Sequence, residues 1–211
     1  NYPSEARRKP RIGDVIVNFE KLFSVNPDLI LTDVSMTLET TRILESKGYP
    51  VFSVRPRNLD EISDTLRLIG SITGHADEAA GVANSFIDKA NGIKVAPHLP
   101  TVYYEASSDP IWTSGTDTYA GDVIRRAGGN NIFKGGWEQV SWEEVLHRDP
   151  DIILVAHRKK ERLPLRAGWD ELKAVKAGHI FFVNENWFNI PSPRLLKGLE
   201  EASRIFHETN Q

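Results

Sequence analysis

Short apolar runs alternate with stretches of helical period along this chain. Leu29, Ile30 and Leu31, between Asp28 and Thr32, have the pattern of a short buried strand. Val51–Val54, Thr101–Ala106, Asp151–Ala156 and Ile180–Val183 read the same way. Helical spacing predicts a short helix at Asn18–Val25, with Asn18 as N-cap and Phe19, Leu22 and Phe23 inward. Further helices are predicted at Met36–Lys47, ended by Gly48, and at Leu59–Thr73, where Leu59, Ile62, Leu66 and Ile69 share a face. Ala76–Asn91, Tyr119–Ala127, Ser141–Arg148, Trp169–Val175 and Ser192–His207 complete the set. Ser141 and Glu144 stand at capping-box spacing. Tyr2–Asp14 and Ser107–Thr118 read as loops. Strands alternating with helices predict an α/β fold with mainly parallel central sheets. The helical region broken only at Gly74 suits a spacer, and Pro97 and Pro100 mark a boundary. The organisation expected is an N-terminal lobe over 1–74, a linking helix over 75–96 and a C-terminal lobe over 97–211.

Two segments resemble each other. Glu20 to Leu31 and Glu143 to Leu154 both place a glutamate seven positions before a proline, then Asp and three aliphatic residues. Helix–Pro–Asp–strand is a common connection in α/β proteins. Its recurrence, each time followed by a helical stretch and another strand, suggests two lobes of like design. Glu20 and Glu143 then occupy matching places near helix starts, where the dipole favours an acid. One exposed acid on each lobe would also make a bivalent docking surface for a basic partner.

Composition narrows the chemistry. The 211 residues carry 26 Lys and Arg against 29 Asp and Glu, a net charge of −3, so the basic footprint of a nucleic-acid binder is absent. There is no cysteine, which excludes thiol nucleophiles, Cys zinc sites, iron–sulfur clusters and disulfides. No apolar run is long enough to span a membrane. The six histidines form no metal-binding pair and read as surface or loop residues. No nucleophile elbow, Walker loop or dinucleotide fingerprint is present, so an enzyme is not expected. Thr113–Thr116 reads as a helix cap in preference to an anion site. Arg158–Arg162 reads as a solvated charge run. The start on Asn1, without Met or leader, reads as a processed or truncated product.

Aromatic loops offer a different chemistry. Trp112, Trp137 and Trp187, three of five tryptophans, stand beside turn residues in predicted loops. A single such indole caps a core edge as readily as it lines a cleft; three together favour a small-molecule cleft at strand ends. Arg194 begins a helix, where a cation is unfavourable unless an anion faces it. It is a candidate ligand contact or one side of a structural ion pair.

The ordered set Tyr2-Pro3, Glu20, Asn26-Pro27-Asp28, Gly48-Tyr49-Pro50, Trp112-Thr113-Ser114-Gly115, Gly128-Gly129-Asn130-Asn131, Trp137 with Gln139-Val140-Ser141, Asp149-Pro150-Asp151 and Ser192-Pro193-Arg194 covers the whole chain. It resembles the periplasmic substrate-binding proteins of cobalamin and ferric-siderophore ABC importers, most closely the vitamin B12-binding branch. The resemblance implies two α/β lobes joined by a long stiff helix, with the ligand held between them. It implies a corrinoid ligand, with haem or a ferric siderophore as the alternative on the same frame, and no resident cofactor or metal. Tyr2, Trp137, Trp187 and Phe188 would line the cleft, with Trp112 at an apolar cleft position and Arg194 as the candidate for an anionic ligand. Asp14 stands where the cobalamin binders carry an aromatic. Glu20 and Glu143 would meet arginines of the ABC permease, which places the protein in the periplasm or another extracytoplasmic space. Relative to the family, the chain lacks the strand–helix–strand unit before Tyr2-Pro3. That absence is expected to leave a strand edge that pairs either in a homodimer or with the missing piece, and it admits a truncated interaction domain that no longer binds ligand.

Overall fold

The structure is a computed structural model, described over residues 3–13, 17–33 and 38–209, without the side chains of 33 and 160–162. The chain forms two compact units, Asn1–Arg55 and Pro56–Gln211. Each has its own sheet and its own buried residues.

The first unit contains α1 (Phe19–Val25), β1 (Ile30–Asp33), α2 (Leu38–Ser46) and β2 (Val51–Val54). Asn18 caps α1 as its sequence position predicts, its side chain accepting from the Lys21 N–H at 3.0 Å. β1 and β2 run parallel, with Ile30 beside Val51 and Thr32 beside Ser53. Leu22 and Leu44 bury the inner faces of the two helices, and Phe23 stacks on Tyr49 at 5.4 Å. Where a loop is expected, Ser4–Arg8 makes a 3₁₀ turn.

In the second unit α3 (Leu59–Ile72) and α4 (Ala76–Asn91) come first. β3 (Thr101–Ser108), β4 (Ile111–Ser114), α5 (Tyr119–Arg126), β5 (Asn130–Asn131), β6 (Trp137–Gln139) and α6 (Trp142–Arg148) follow. The chain closes with β7 (Ile152–Val155), α7 (Lys173–Lys176), β8 (Ile180–Phe182) and α8 (Leu195–Glu208). The sheet order is β6-β4-β3-β7-β8, with β5 also on β3. β3, β5, β7 and β8 pair in parallel, whereas antiparallel pairing joins β3 to β4 and β4 to β6. The last two occupy segments expected to be loops. Their polar residues hide them from a hydropathy pattern: Thr113 and Ser114 are fully buried, and the Thr113 hydroxyl donates to the Tyr104 carbonyl at 2.6 Å.

Alternation along the strands divides the core. Val102, Tyr104, Ile152 and Leu154 face one layer, with α3, α4, α5 and α8 packed on it. Tyr103, Ile153 and Val155 face the other, against Phe133, Trp169 and Leu172. The helical stretch expected as a spacer is a pair of helices folded back along each other. Ser63 Oγ donates to the Ala83 carbonyl at 3.2 Å, and Arg67 to Asn84 Oδ1 at 2.7 Å. Gly74 turns the corner at φ +75°, and Gly70 allows contact with Ala79, whose Cβ would lie 2.1 Å from an added Cβ. Leu59 and Ile62 of α3 bury in the same layer as Phe86 and Ala90 of α4, so the unit boundary falls before Pro56. From α5, Asp122 accepts the Leu59 N–H at the start of α3 at 3.0 Å and Arg126 Nε at 2.9 Å.

Candidate functional site

β7 and β8 run parallel, so both release their following segments at the same end of the sheet. At that end lies a cavity of about 450 Å³. Ala156, His157 and Arg158 line it after β7; Phe182 through Trp187 line it after β8; Glu201 reaches it from α8. Carboxyl ends of strands in open α/β sheets are the usual place for a ligand.

Trp187 is half-buried in this wall, with Lys197 Nζ 5.6 Å from its ring centre. The segment behind it is firmly held. Tyr104 donates to Asn189 Oδ1, and Tyr119 donates to the Asn189 carbonyl at 3.0 Å. Tyr104 also stacks on Phe188 at 5.6 Å and meets the edge of Trp137 at 6.3 Å, while Tyr119 tilts against Trp137 at 5.6 Å. Burial, with the Tyr119 phenol and the Glu185 carboxylate nearby, raises the Tyr104 hydroxyl well above the ordinary phenol range, so it stays a neutral donor. On the other side, Gly198 of α8 lets the chain come close: a Cβ there would lie 2.4 Å from the Trp187 carbonyl oxygen.

The cavity's polar groups are the acids Glu185 and Glu201, the amides Asn184 and Asn186, and the bases His157 and Arg158. Glu185 lies 3.6 Å from Arg158, and Asn184 Oδ1 accepts the Asn186 N–H at 3.0 Å. Burial raises Glu201 above the usual carboxyl range, against the opposing pull of Arg204 and the Asn184 N–H. Its Oε2 is enclosed without a hydrogen-bond partner. Among the described residues no group of three His, Asp or Glu side chains is placed to hold a metal ion.

Behind the wall lies a cluster that sequence reasoning missed. Glu105, wholly buried on β3, receives His157, Arg166 and Tyr103. Burial alone would raise its carboxyl; the bonds from His157, Arg166 and Tyr103 outweigh it and hold it below the ordinary range. His157 lies in the loop after β7, one of the two places expected of the histidines, with its side chain only 10% exposed. The signal available was a glutamate inside the apolar run Val102-Tyr-Tyr-Glu-Ala106.

The candidate site residues separate into groups. Trp187 lines the cavity, and Trp137 backs the tyrosine pair. Phe188, expected in the cleft, is wholly buried against Tyr104 and supports the wall from behind, since its ring has no accessible surface to offer a ligand. Trp112 is 40% exposed on β4, its backbone in register with Gln139. Arg194 is half-buried at the N-cap position of α8 and is not a lining residue of this cavity. Thr113–Thr116 does not cap a helix: Thr118 caps α5, accepting the Gly121 N–H at 2.9 Å. Tyr2 and Asp14 lie outside the described residues. Glu20 and Glu143 are both exposed, each the second residue of its helix.

A family model described as "Periplasmic binding protein" matches residues 8–186. The chain belongs to the periplasmic binding protein family. Its curated relatives include an uncharacterized ABC transporter substrate-binding lipoprotein, YvrC, of Bacillus subtilis (strain 168), 28% identical over 99% of this chain and 71% of the relative. Another is the vitamin B12-binding protein of Salmonella choleraesuis (strain SC-B67), 26% identical over 100% of this chain and 81% of the relative. Among solved structures, the periplasmic vitamin B12 binding protein BtuF of Vibrio cholerae superposes with a TM-score of 0.85. It is 24% identical, over 100% of this chain and 86% of that one, and the likeness shows the same two-lobed α/β fold.

Proposed function

We propose that this protein is the substrate-binding component of an ABC importer and that its ligand is a corrinoid. The observation that carries this reading is the Trp187 wall at the strand ends, fixed in advance by Tyr104 and Tyr119 on Asn189. A preformed aromatic wall binds a large flat ligand without the cost of ordering side chains. Asn184, Glu185 and Asn186 offer acceptors to the amide arms that surround a corrin ring. The relation to the vitamin B12-binding protein supports the same ligand.

Delivery is assigned to Glu20 and Glu143. Each is an exposed carboxylate on the first turn of a seven-residue helix, suited to arginines of a permease. The reading places the protein on the outer side of the cytoplasmic membrane.

Spectral titration with cyanocobalamin, haemin and a ferric hydroxamate tests the ligand. Saturable binding of cyanocobalamin alone is expected. Preference for haemin or the ferric complex would replace the corrinoid, and binding of none of the three would leave an interaction domain. The Glu20→Ala, Glu143→Ala double variant should keep its ligand affinity and lose transport; reduced ligand affinity would move those acids into the site.

A further inference from the structure

The segment from 157 to 166 leaves β7 at the cavity, which its first two residues, His157 and Arg158, line, and both its ends return to one group. His157 Nε2 lies 2.7 Å from Glu105 Oε1. Arg166 Nη1 donates to Oε2 at 2.6 Å, and its Nη2 to Oε1 at 2.9 Å. The Tyr103 hydroxyl completes the set on Oε2 at 3.0 Å. Glu105 has no exposed surface, and the side chains of His157 and Arg166 are 10% and 11% exposed.

The histidine's proton is located by its other nitrogen. The Lys159 N–H donates to His157 Nδ1 at 3.1 Å. A nitrogen that accepts carries no proton, so in the neutral ring Nε2 carries it and donates to Glu105. The ring thereby joins the buried carboxylate to the backbone of the segment that bears Arg158 at the cavity. At the far end, the guanidinium of Arg166 also covers the Trp142 ring at 4.8 Å.

We propose that Glu105 is a positioning residue for ligand capture, a buried clasp that closes the 157–166 segment at both ends and so sets the shape of the cavity. The role in capture rests on reading the cavity as the ligand site; the clasp itself does not. A carboxylate is suited to the task because both its oxygens accept, in one plane, from a guanidinium fork and an imidazole together. Glutamine in its place would present N–H groups to donors. Lysine in place of Arg166 would keep the charge and lose the fork.

The test is amide hydrogen exchange on the ligand-free chain, followed by cyanocobalamin titration. Glu105→Gln should speed exchange at the amides of 158–163, 165 and 166 on the order of 10-fold, with β3 and β7 still protected. His157→Gln should loosen the start of the segment, and Arg166→Lys its end. Adding either to Glu105→Gln should produce little further change, because all three act through one carboxylate. Unchanged exchange in Glu105→Gln, or fully additive effects, would overturn the clasp. Should Glu105→Gln not fold, the His157→Gln, Arg166→Lys pair decides: local, end-specific loosening supports the clasp, and protection equal to wild type removes it. Affinity for cyanocobalamin should fall on the order of 10-fold in Glu105→Gln. Unchanged affinity with a loosened segment would remove the role in capture. If wild type binds no cyanocobalamin, the ligand reading and the role in capture fail, while the exchange result still judges the clasp.

Discussion

Asn26 and Asp149 occupy the same position in two copies of one local structure. Each ends a seven-residue helix in the left-handed conformation, at φ 47° and φ 41°, and each is followed by Pro, Asp and a parallel strand. They are the non-glycine residues with positive φ among those described. The helices begin alike as well: Asn18 accepts from Lys21 N–H and Ser141 from Glu144 N–H. Proline next in sequence disfavours the right-handed helical region for both residues, and short polar side chains tolerate the left-handed one. Glu20 and Glu143 therefore present their carboxylates from equivalent places for a physical reason, since the repeat is built into the backbone.

The two turns should respond differently to glycine. Asn26→Gly relieves left-handed strain and should raise stability by up to about 1 kcal/mol in urea unfolding. Asp149→Gly should gain less or lose, because Asp149 Oδ1 accepts the Lys173 N–H at 2.8 Å and so ties α6 to α7.

Removing the Glu105 carboxylate should be among the costliest single changes. Glu105→Ala leaves the Arg166 guanidinium buried without its partner and should cost about 3–5 kcal/mol, read from the urea midpoint and slope.

Acid should weaken the protein through the same group. The carboxyl of Glu105 lies below its ordinary value in the fold, so its contribution is complete above the unfolded glutamate value of about 4.3. That contribution is lost as pH falls through the lower, folded value. Asp151 acts in the same direction: burial would raise it, but hydrogen bonds from Thr101 hold it low. Glu105→Gln should flatten part of the stability profile measured between pH 6 and pH 3, to the extent given by Glu105 alone.

Neighbouring aromatics should separate binding from folding. Trp187→Ala should weaken cyanocobalamin binding by about 10-fold or more with a small change in stability, since the indole lines the cavity and is only half-buried. Phe188→Ala should cost about 3–5 kcal/mol of stability, since that ring is wholly within the core. Calorimetric unfolding and ligand titration on both variants check the division.

Gly198→Ala should disturb the site from a distance. Its new methyl would meet the Trp187 carbonyl and, at 3.2 Å, the Phe188 ring. About 1–3 kcal/mol of destabilisation is expected, with a shift in tryptophan emission and weaker cyanocobalamin binding.

Local patterns made much of this architecture legible. The caps Asn18 and Ser141, the strands β1, β2, β7 and β8, and the paired glutamates follow from residues within one or two turns of each other. β4 and β6 were not legible, because Thr113 and Ser114 are buried through hydrogen bonds and not through hydrophobicity. Nor could adjacency separate Trp187 from Phe188: neighbours in sequence, one faces the cavity and the other faces Tyr104.

The sequence by itself determined the α/β class, the duplicated helix–Pro–Asp–strand unit and the family. The class and the unit depend on periodicity and on backbone preferences that act over a few residues, and the family on the resemblance of an ordered set of motifs along the chain. Tertiary structure alone decided which polar residues matter to the cavity. Glu105 finds His157 52 positions away and Arg166 61 positions away, and Tyr104 finds Asn189 85 positions away. Such partners are chosen by the order of strands in the sheet, because only parallel packing of β3 beside β7 brings a buried acid to the start of the cavity's wall.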